Sequence, residues 1–261
     1  LHHPLASRLD QLCVLRDAFE TKVLKPFSTR KMMMKSAQPG ALDYARAREK
    51  MVKEQIIDRG IRDRKVIDAL TRIPRHLFLP EALLGRAYGD TALPIGEGQT
   101  ITQPYMVAFM SEALNLQGEE KILEVGTGSG YQAAVLACLA ARVYSVERIR
   151  GLLEQARKTL DRIQCHNVVT KLSDGSYGWA EEAPFDAILI TAGAPSLPQP
   201  LLGQLKVGGT LVIPVGDRNC QRLIRVRKDS QGYSQENLVE CNFVSLVGEY
   251  GWAKREKWSG Y

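Results

Sequence analysis

The sequence is short of the features that would place it in most specialised classes. Its five cysteines (Cys13, Cys138, Cys165, Cys220, Cys241) are odd in number, scattered and without a CxxC pair, which argues against a disulfide framework and fits free thiols in the cytoplasm. Histidine is scarce too. Of four, two are the adjacent His2 and His3, and no HxxxH or Cys/His cluster is present, so no metal site is expected. No run approaches the roughly 18 consecutive apolar residues of a membrane span, so no membrane association is expected. Excess charge is missing from the body of the chain. The formal charge is +6, but the first 40 residues carry seven Lys or Arg against three acids, and Lys254–Lys257 adds three against one. Ala41–Ala253 is left with 25 of each sign, which gives no footprint for neutralising phosphates. Nucleic acid is therefore not an expected partner.

What is present fits one main domain, since 261 residues with 44% hydrophobic and 25% charged composition can bury a single substantial core. Residues 1–40 read as a basic extension outside that core. Leu5, Leu9, Leu12, Phe19 and Val23 follow helical spacing until Pro26, and TRKMMMKSAQPG reads as a linker. The body of the chain spans 41–253, with a helical part at 41–93, a sheet at about 119–217 and terminal strands at 218–253; a basic tail covers 254–261. Helical spacing over Leu42–Leu84 breaks at Arg59 and Gly60 and again at Ile73 and Pro74. After the polar stretch PIGEGQTITQP, Pro104 opens a helix over 104–114, with Thr102 or Gln103 near its cap.

The rest alternates as βαβ units. Strands are expected at 121–125, 142–146, 168–173, 185–191 and 209–215, then at 222–228 and 241–247. Helices are expected at 131–141, 149–163, 176–182 and 198–205. The fold class is thus α/β: a doubly wound, mostly parallel sheet of Rossmann-like type with an antiparallel C-terminal edge and a small helical N-terminal region. Ligands bind such sheets at the carboxyl ends of the strands.

Those ends carry the chemistry. In LEVGTGSGY, Gly126, Gly128 and Gly130 let the backbone turn tightly against a ligand, with Glu124 before them and Thr127 and Ser129 between. Glu147, followed by Arg148, ends the next strand, where a carboxylate can accept both hydroxyls of a ribose. The spacing is GxGxG rather than GxGxxG, which weighs against a dinucleotide. Asp174 and Gly175 close the third strand, where a carboxylate can accept from an adenine amine, and Thr191 ends the fourth. Each alone is an ordinary turn or cap residue; together they are the edge that a nucleoside requires.

These residues, with the PVG that follows the fifth strand, resemble the class I S-adenosylmethionine-dependent methyltransferases. Within that class, RIPRHLFLP (72–80), AYGDTALPIGEGQTITQPYMVAFM (87–110), EEAPFDAILITAGAP (181–195), LKVGGTLVIPVG (205–216) and FVSLVGEYGW (243–252) resemble the protein-L-isoaspartate O-methyltransferase family. The resemblance covers residues 42–252. It implies S-adenosyl-L-methionine as cofactor, S-adenosyl-L-homocysteine as product, isoaspartyl peptides and proteins as substrate, and a monomer. It implies that Glu124, Gly126, Thr127, Gly128, Ser129, Gly130, Glu147, Arg148, Asp174, Gly175 and Thr191 hold the cofactor. Ile95, Gly96, Gly98, Gln99, Thr100, Pro214 and Val215 would shape the substrate cleft, and FVSLVGEYGW would fold back over it. Thr102 stands where the family usually carries serine, as the hydroxyl that meets the substrate carboxylate. Ser245 stands where proline is common.

The implied chemistry agrees with the absence of a base in PIGEGQTITQP. A carboxylate with a reference pKa of about 4 is already ionised at neutral pH, so the nucleophile needs no deprotonation. Two other readings keep part of the pattern: a methyltransferase acting on a nucleic acid or small molecule, and a non-catalytic binder of damaged polypeptides. The first lacks an [ND]PP[YF] motif, since TAGAP follows the fourth strand. His76 reads as structural, and Tyr131, Tyr177 and Trp179 as packing residues.

Overall fold

A computed structural model describes residues 43–253. The expected helix around Leu5–Val23 and the basic tail lie outside the described residues. The N-terminal part is helical, as its spacing indicates. Helix α1 (Tyr44–Met51) is capped by the Asp43 carboxylate, which accepts from Arg46 N, and runs on into a π-helical turn at Val52–Ile57. The chain breaks at Gly60, whose φ of 100° suits glycine. Helix α2 (Arg64–Arg72) starts on the Asp63 carboxylate and ends before Ile73, which precedes Pro74 and is extended. Two 3₁₀ turns follow, Arg75–Phe78 and Glu81–Arg86.

The stretch PIGEGQTI forms a small hairpin that the sequence reading takes for a loop. Strands β1 (Leu93–Gly96) and β2 (Gln99–Ile101) pair antiparallel about Gly96, Glu97 and Gly98, all at positive φ (93°, 52° and 67°). Its strands are too short to show periodicity, but Leu93, Ile95 and Ile101 are buried and fix its inner face. Helix α3 (Pro104–Ala113) then opens on proline, with Gln103 at the cap.

The sheet has seven strands. In chain order they are β3 (Lys121–Val125), β4 (Arg142–Glu147), β5 (Val168–Leu172), β6 (Phe185–Ile190), β7 (Leu205–Gly216), β8 (Gln221–Lys228) and β9 (Tyr233–Cys241). Their spatial order is β5-β4-β3-β6-β7-β8-β9, parallel as far as β7 and antiparallel beyond it. Helices α4 (Tyr131–Ala137), α5 (Arg150–Arg162) and α6 (Gln199–Gln204) provide crossovers. Both faces of the central strands are buried. Ile122, Leu189 and Val212 face the core shared with α2, α3 and α4, while their neighbours Leu123, Ile188 and Leu211 face the core under α6. Parallel strands covered on both sides read as continuous apolar runs for this reason.

Three expectations need correction. The last strand is 233–241, not 241–247. YSQENLVEC is polar because it is an exposed edge, whereas the apolar stretch after Cys241 leaves the sheet, with Leu246 buried and Phe243, Val244 and Val247 half-buried. The expected helix at 176–182 is two 3₁₀ turns, Gly175–Tyr177 and Ala180–Glu182, parted by Gly178 at φ 72°. A Cβ there would collide with the Gln204 side chain, so the left-handed turn between them is open only to glycine. Helix α4 also stops at Ala137, four residues before its expected end at 141.

Candidate active site

Strand order reverses at β3, whose neighbours β4 and β6 leave in opposite directions and open a crevice at the carboxyl edge. Register aligns that edge. Val125 lies beside Val146 on one side and Ile190 on the other, so Gly126, Glu147 and Thr191 emerge side by side. A cavity sits there, lined by Val125–Ser129, Val146–Ile149, Gly175, Thr191 and Ala192. Its other wall consists of Gln99–Thr102, Val107 of α3, Tyr131 and Gln132 of α4, and Val244–Val247.

The glycine turn is set by its neighbours. Gly126 has φ 100°, and a Cβ there would collide with Thr191 Oγ1. That hydroxyl instead donates to the carbonyl oxygens of Gly126 (2.7 Å) and Val125 (3.0 Å), so Thr191 braces the turn. Gly175 is required by closeness too, since its Cβ would fall 2.6 Å from Val125 Cγ1. Beneath the turn Glu124 is fully buried. Ser145 Oγ donates to Glu124 Oε2 and so accepts from Thr127 Oγ1, at 2.6 Å. Burial pushes the Glu124 carboxyl up to about 8, and the Glu147 charge raises it further against the Ser145 bond. It is therefore neutral at pH 7, and it is a support below the cavity rather than part of its wall.

Glu147 is the carboxylate on the wall. Its oxygens accept from Gly128 N (2.9 Å), Arg148 N (2.8 Å) and Ile149 N (2.9 Å). Each oxygen has two lone-pair directions; Oε1 accepts from both Arg148 N and Ile149 N and Oε2 from Gly128 N, so one direction remains, on Oε2, for a ligand hydroxyl. Bare glycine backbone, this carboxylate and the aliphatic Val146 and Ile149 fit an adenosine-bearing cofactor.

Thr102 lies on the opposite wall. Its hydroxyl has no hydrogen-bond partner among the described residues, and it does not cap α3, whose cap Gln103 makes no side-chain cap bond. Among the described residues, the only ionisable side chains lining the cavity are Glu147, Arg148 and Tyr131. Tyr131 is held between Phe78, edge-on at 5.4 Å, and the buried Arg75, whose Cζ lies 4.9 Å from the ring centroid. Burial pushes its phenol up to about 12, so it stays neutral.

Of the other residues singled out in the sequence, Gln99, Thr100, Thr127, Gly128, Ser129, Arg148 and Gly175 line the cavity. Gly130, at φ 87°, faces Ala156 instead. Ile95 packs beside Gly128 behind the wall, and Gly96 and Gly98 form the hairpin turn. Pro214 and Val215 lie beyond β6; the Pro214 carbonyl accepts from Ala194 N at 2.9 Å. The Asp174 carboxylate accepts from Ser176 N (2.8 Å), Ser176 Oγ (2.7 Å) and, through Oδ2, Glu249 N (2.9 Å). It thus fastens the C-terminal segment, and its side chain is not on the cavity wall. His76 stacks on Tyr44 at 4.0 Å and bonds Tyr88 OH at 2.7 Å, away from the cavity. Ile101, Val107, Gln132, Ile149 and Ala192 were not singled out; only their positions next to motif residues signal them.

Strand order, glycine turn and strand-end carboxylate define a class I S-adenosylmethionine-dependent methyltransferase. The model of the family described as protein-L-isoaspartate(D-aspartate) O-methyltransferase matches residues 46–251. A protein-L-isoaspartate O-methyltransferase of Geobacter metallireducens is 57% identical over 216 residues, which is 82% of this chain and 100% of the relative. A solved protein-L-isoaspartate O-methyltransferase superposes with a TM-score of 0.72 at 30% identity, over 78% of this chain and 67% of that one. A Plasmodium falciparum β-aspartate methyltransferase structure in complex with S-adenosyl-L-homocysteine gives 0.67 at 26% identity, over 79% and 99%. The chain belongs to the protein-L-isoaspartate O-methyltransferase family.

Proposed function

We propose that this protein methylates the side-chain carboxylate of L-isoaspartyl residues in damaged polypeptides, forming an ester that closes to a succinimide and reopens toward normal aspartate. Bound in the glycine cradle, S-adenosyl-L-methionine supplies an electrophilic methyl on a positively charged sulfur and leaves as S-adenosyl-L-homocysteine. Glu147 holds the ribose, while Val146 and Ile149 flank the base. Thr102 donates to the substrate carboxylate and aims one oxygen along the line of attack. Alignment of this kind is worth up to about 7–11 kcal/mol, and exclusion of water by Val244–Val247 strips the carboxylate of its hydration.

The observation that carries this reading is a Thr102 hydroxyl with no hydrogen-bond partner among the described residues, on a wall whose one ionisable side chain among them is the neutral phenol of Tyr131. Such a site suits an acceptor that is already an anion. The protein would act as a cytoplasmic monomer, with neither nucleic acid nor membrane as partner. In support, the four described cysteines are free thiols, and no helix of the described residues is long and apolar enough to cross a membrane. Purified protein with labelled S-adenosylmethionine should label an isoaspartyl peptide and leave its aspartyl twin unlabelled. Equal labelling of the two, or none, would refute the assignment.

A further inference from the structure

The cavity accounts for one residue of a polypeptide, and the chain flanking that residue must cross the adjoining surface. The two loops that form the cavity's outer wall both run on and enclose a second depression. From Thr191 and Ala192 the chain continues through Pro195, Leu197 and Pro198; from Val244–Val247 it continues to Glu249, Tyr250 and Gly251. These stretches are the walls of an open groove floored by Val215 of β7, Ile224 of β8 and Gln235 of β9. The walls are tied to each other where they leave the cavity. Gly193 N donates to Val244 O and Gly193 O accepts from Leu246 N, both at 2.8 Å. Groove and cavity therefore share a rim, and three residues of extended chain, at most about 10 Å, separate Ala192 from Pro195.

The groove's surface has the character of a peptide site. Prolines, Leu197 and Tyr250 give it rigid apolar walls that bind without ordering many rotamers. Tyr250 is 43% exposed and meets Tyr177, 48% exposed, edge to face at 5.2 Å. Only two other large apolar side chains among the described residues stay this open, Val207 and Tyr233. Aromatic side chains left in solvent beside a site mark contact surface. Among the described residues, Glu249 is the only carboxylate lining the groove, and no lysine or arginine lines it.

We propose that this groove is an outlying subsite for the extended polypeptide flanking the isoaspartyl residue, taking apolar side chains along Pro195–Pro198 and Tyr250 and a basic residue beside Glu249. The subsite rests on the carboxyl-methyl transfer argued above.

The test uses the full chain and isoaspartyl peptides: a short core with one neighbour on each side, and the same core extended by about six residues on either side, with Lys or Glu in the extension. One extension should lower KM about tenfold relative to the core at unchanged kcat, more with Lys than with Glu. In Tyr250→Ala, whose backbone bond to Ser176 Oγ persists, the long-to-short ratio should collapse toward one. In Glu249→Lys the Lys-over-Glu preference should invert. A ratio near one in the unmodified protein overturns the subsite while leaving the carboxyl-methyl reading intact. So does a ratio that survives both substitutions in proteins with unchanged Tm. Failure to label any isoaspartyl peptide, short or long, overturns both.

Discussion

The two walls of the cavity are built on different plans. The cofactor wall comes from one run of chain, 121–192, in which parallel strands end level and deliver Gly126, Glu147, Gly175 and Thr191 to a common edge. The acceptor wall is assembled from pieces far apart in sequence: the β1–β2 hairpin with Thr102, and the segment 244–252. The cofactor wall is held by the sheet's own ladder, whereas the acceptor wall is fastened by individual bonds from Asp174, Ser176 and Gly193. A wall carried by the ladder resists deformation as a unit. A fastened wall can be altered one bond at a time, which suits the side of the enzyme that must admit a polypeptide.

The largest test of this contrast lies under the cofactor wall. Because Glu124 titrates at about 8 when folded against 4.5 as its ordinary value, the folded state holds a proton that the unfolded state has released. Its contribution to stability is complete below about pH 4.5 and is lost as pH rises to about 8, with a slope of up to about 1.4 kcal/mol per pH unit. Thermal melts should show Glu124→Gln flattening this slope. A slope unchanged by the substitution would mean that the carboxyl is ionised in the folded protein. Next in size, Glu147→Ala removes a charged acceptor worth about 1.5–3 kcal/mol, so titration calorimetry should find cofactor Kd raised about tenfold to a hundredfold. Thr102→Val, on the other wall, should lower kcat about tenfold with cofactor Kd and Tm unchanged, since the hydroxyl caps nothing. A fall in Tm with unaltered kcat would make Thr102 a structural residue. The smallest effect is expected where the walls meet. Asp174→Asn puts an amide donor against either Ser176 or the Glu249 N–H, costing about 1 kcal/mol and raising peptide KM a few-fold.

Legibility in the sequence follows the same division. The glycine turn, Glu147 and the five parallel strands stand out because buried parallel strands are continuous apolar runs that end in small, acidic or hydroxyl residues. The breaks at Gly60 and Ile73–Pro74 stand out because backbone sterics act locally. The hairpin does not, because its strands are three and four residues long and its register is set by contacts outside it. The edge strand 233–241 is misread because its exposed face is polar, while the apolar stretch beyond it owes its composition to covering the cavity. Asp174 reads in the sequence as a ligand for adenine or as a turn residue, and its bond from Glu249 N depends on a contact far along the chain that no local pattern signals.

Gly193 receives three attachments of the C-terminal segment: its N–H binds Val244 O, and its carbonyl accepts from Leu246 N and, at 3.1 Å, from the indole of Trp252. A Cβ there would press on the Gln221 side chain, so the post is also fixed in kind. For anyone redesigning the enzyme, this sets where the gene can be edited. Substitutions beyond Ala253 leave these three bonds in place, whereas a stop codon at Trp252 removes the indole bond and loosens the segment Val244–Val247 beside the cavity without touching the sheet.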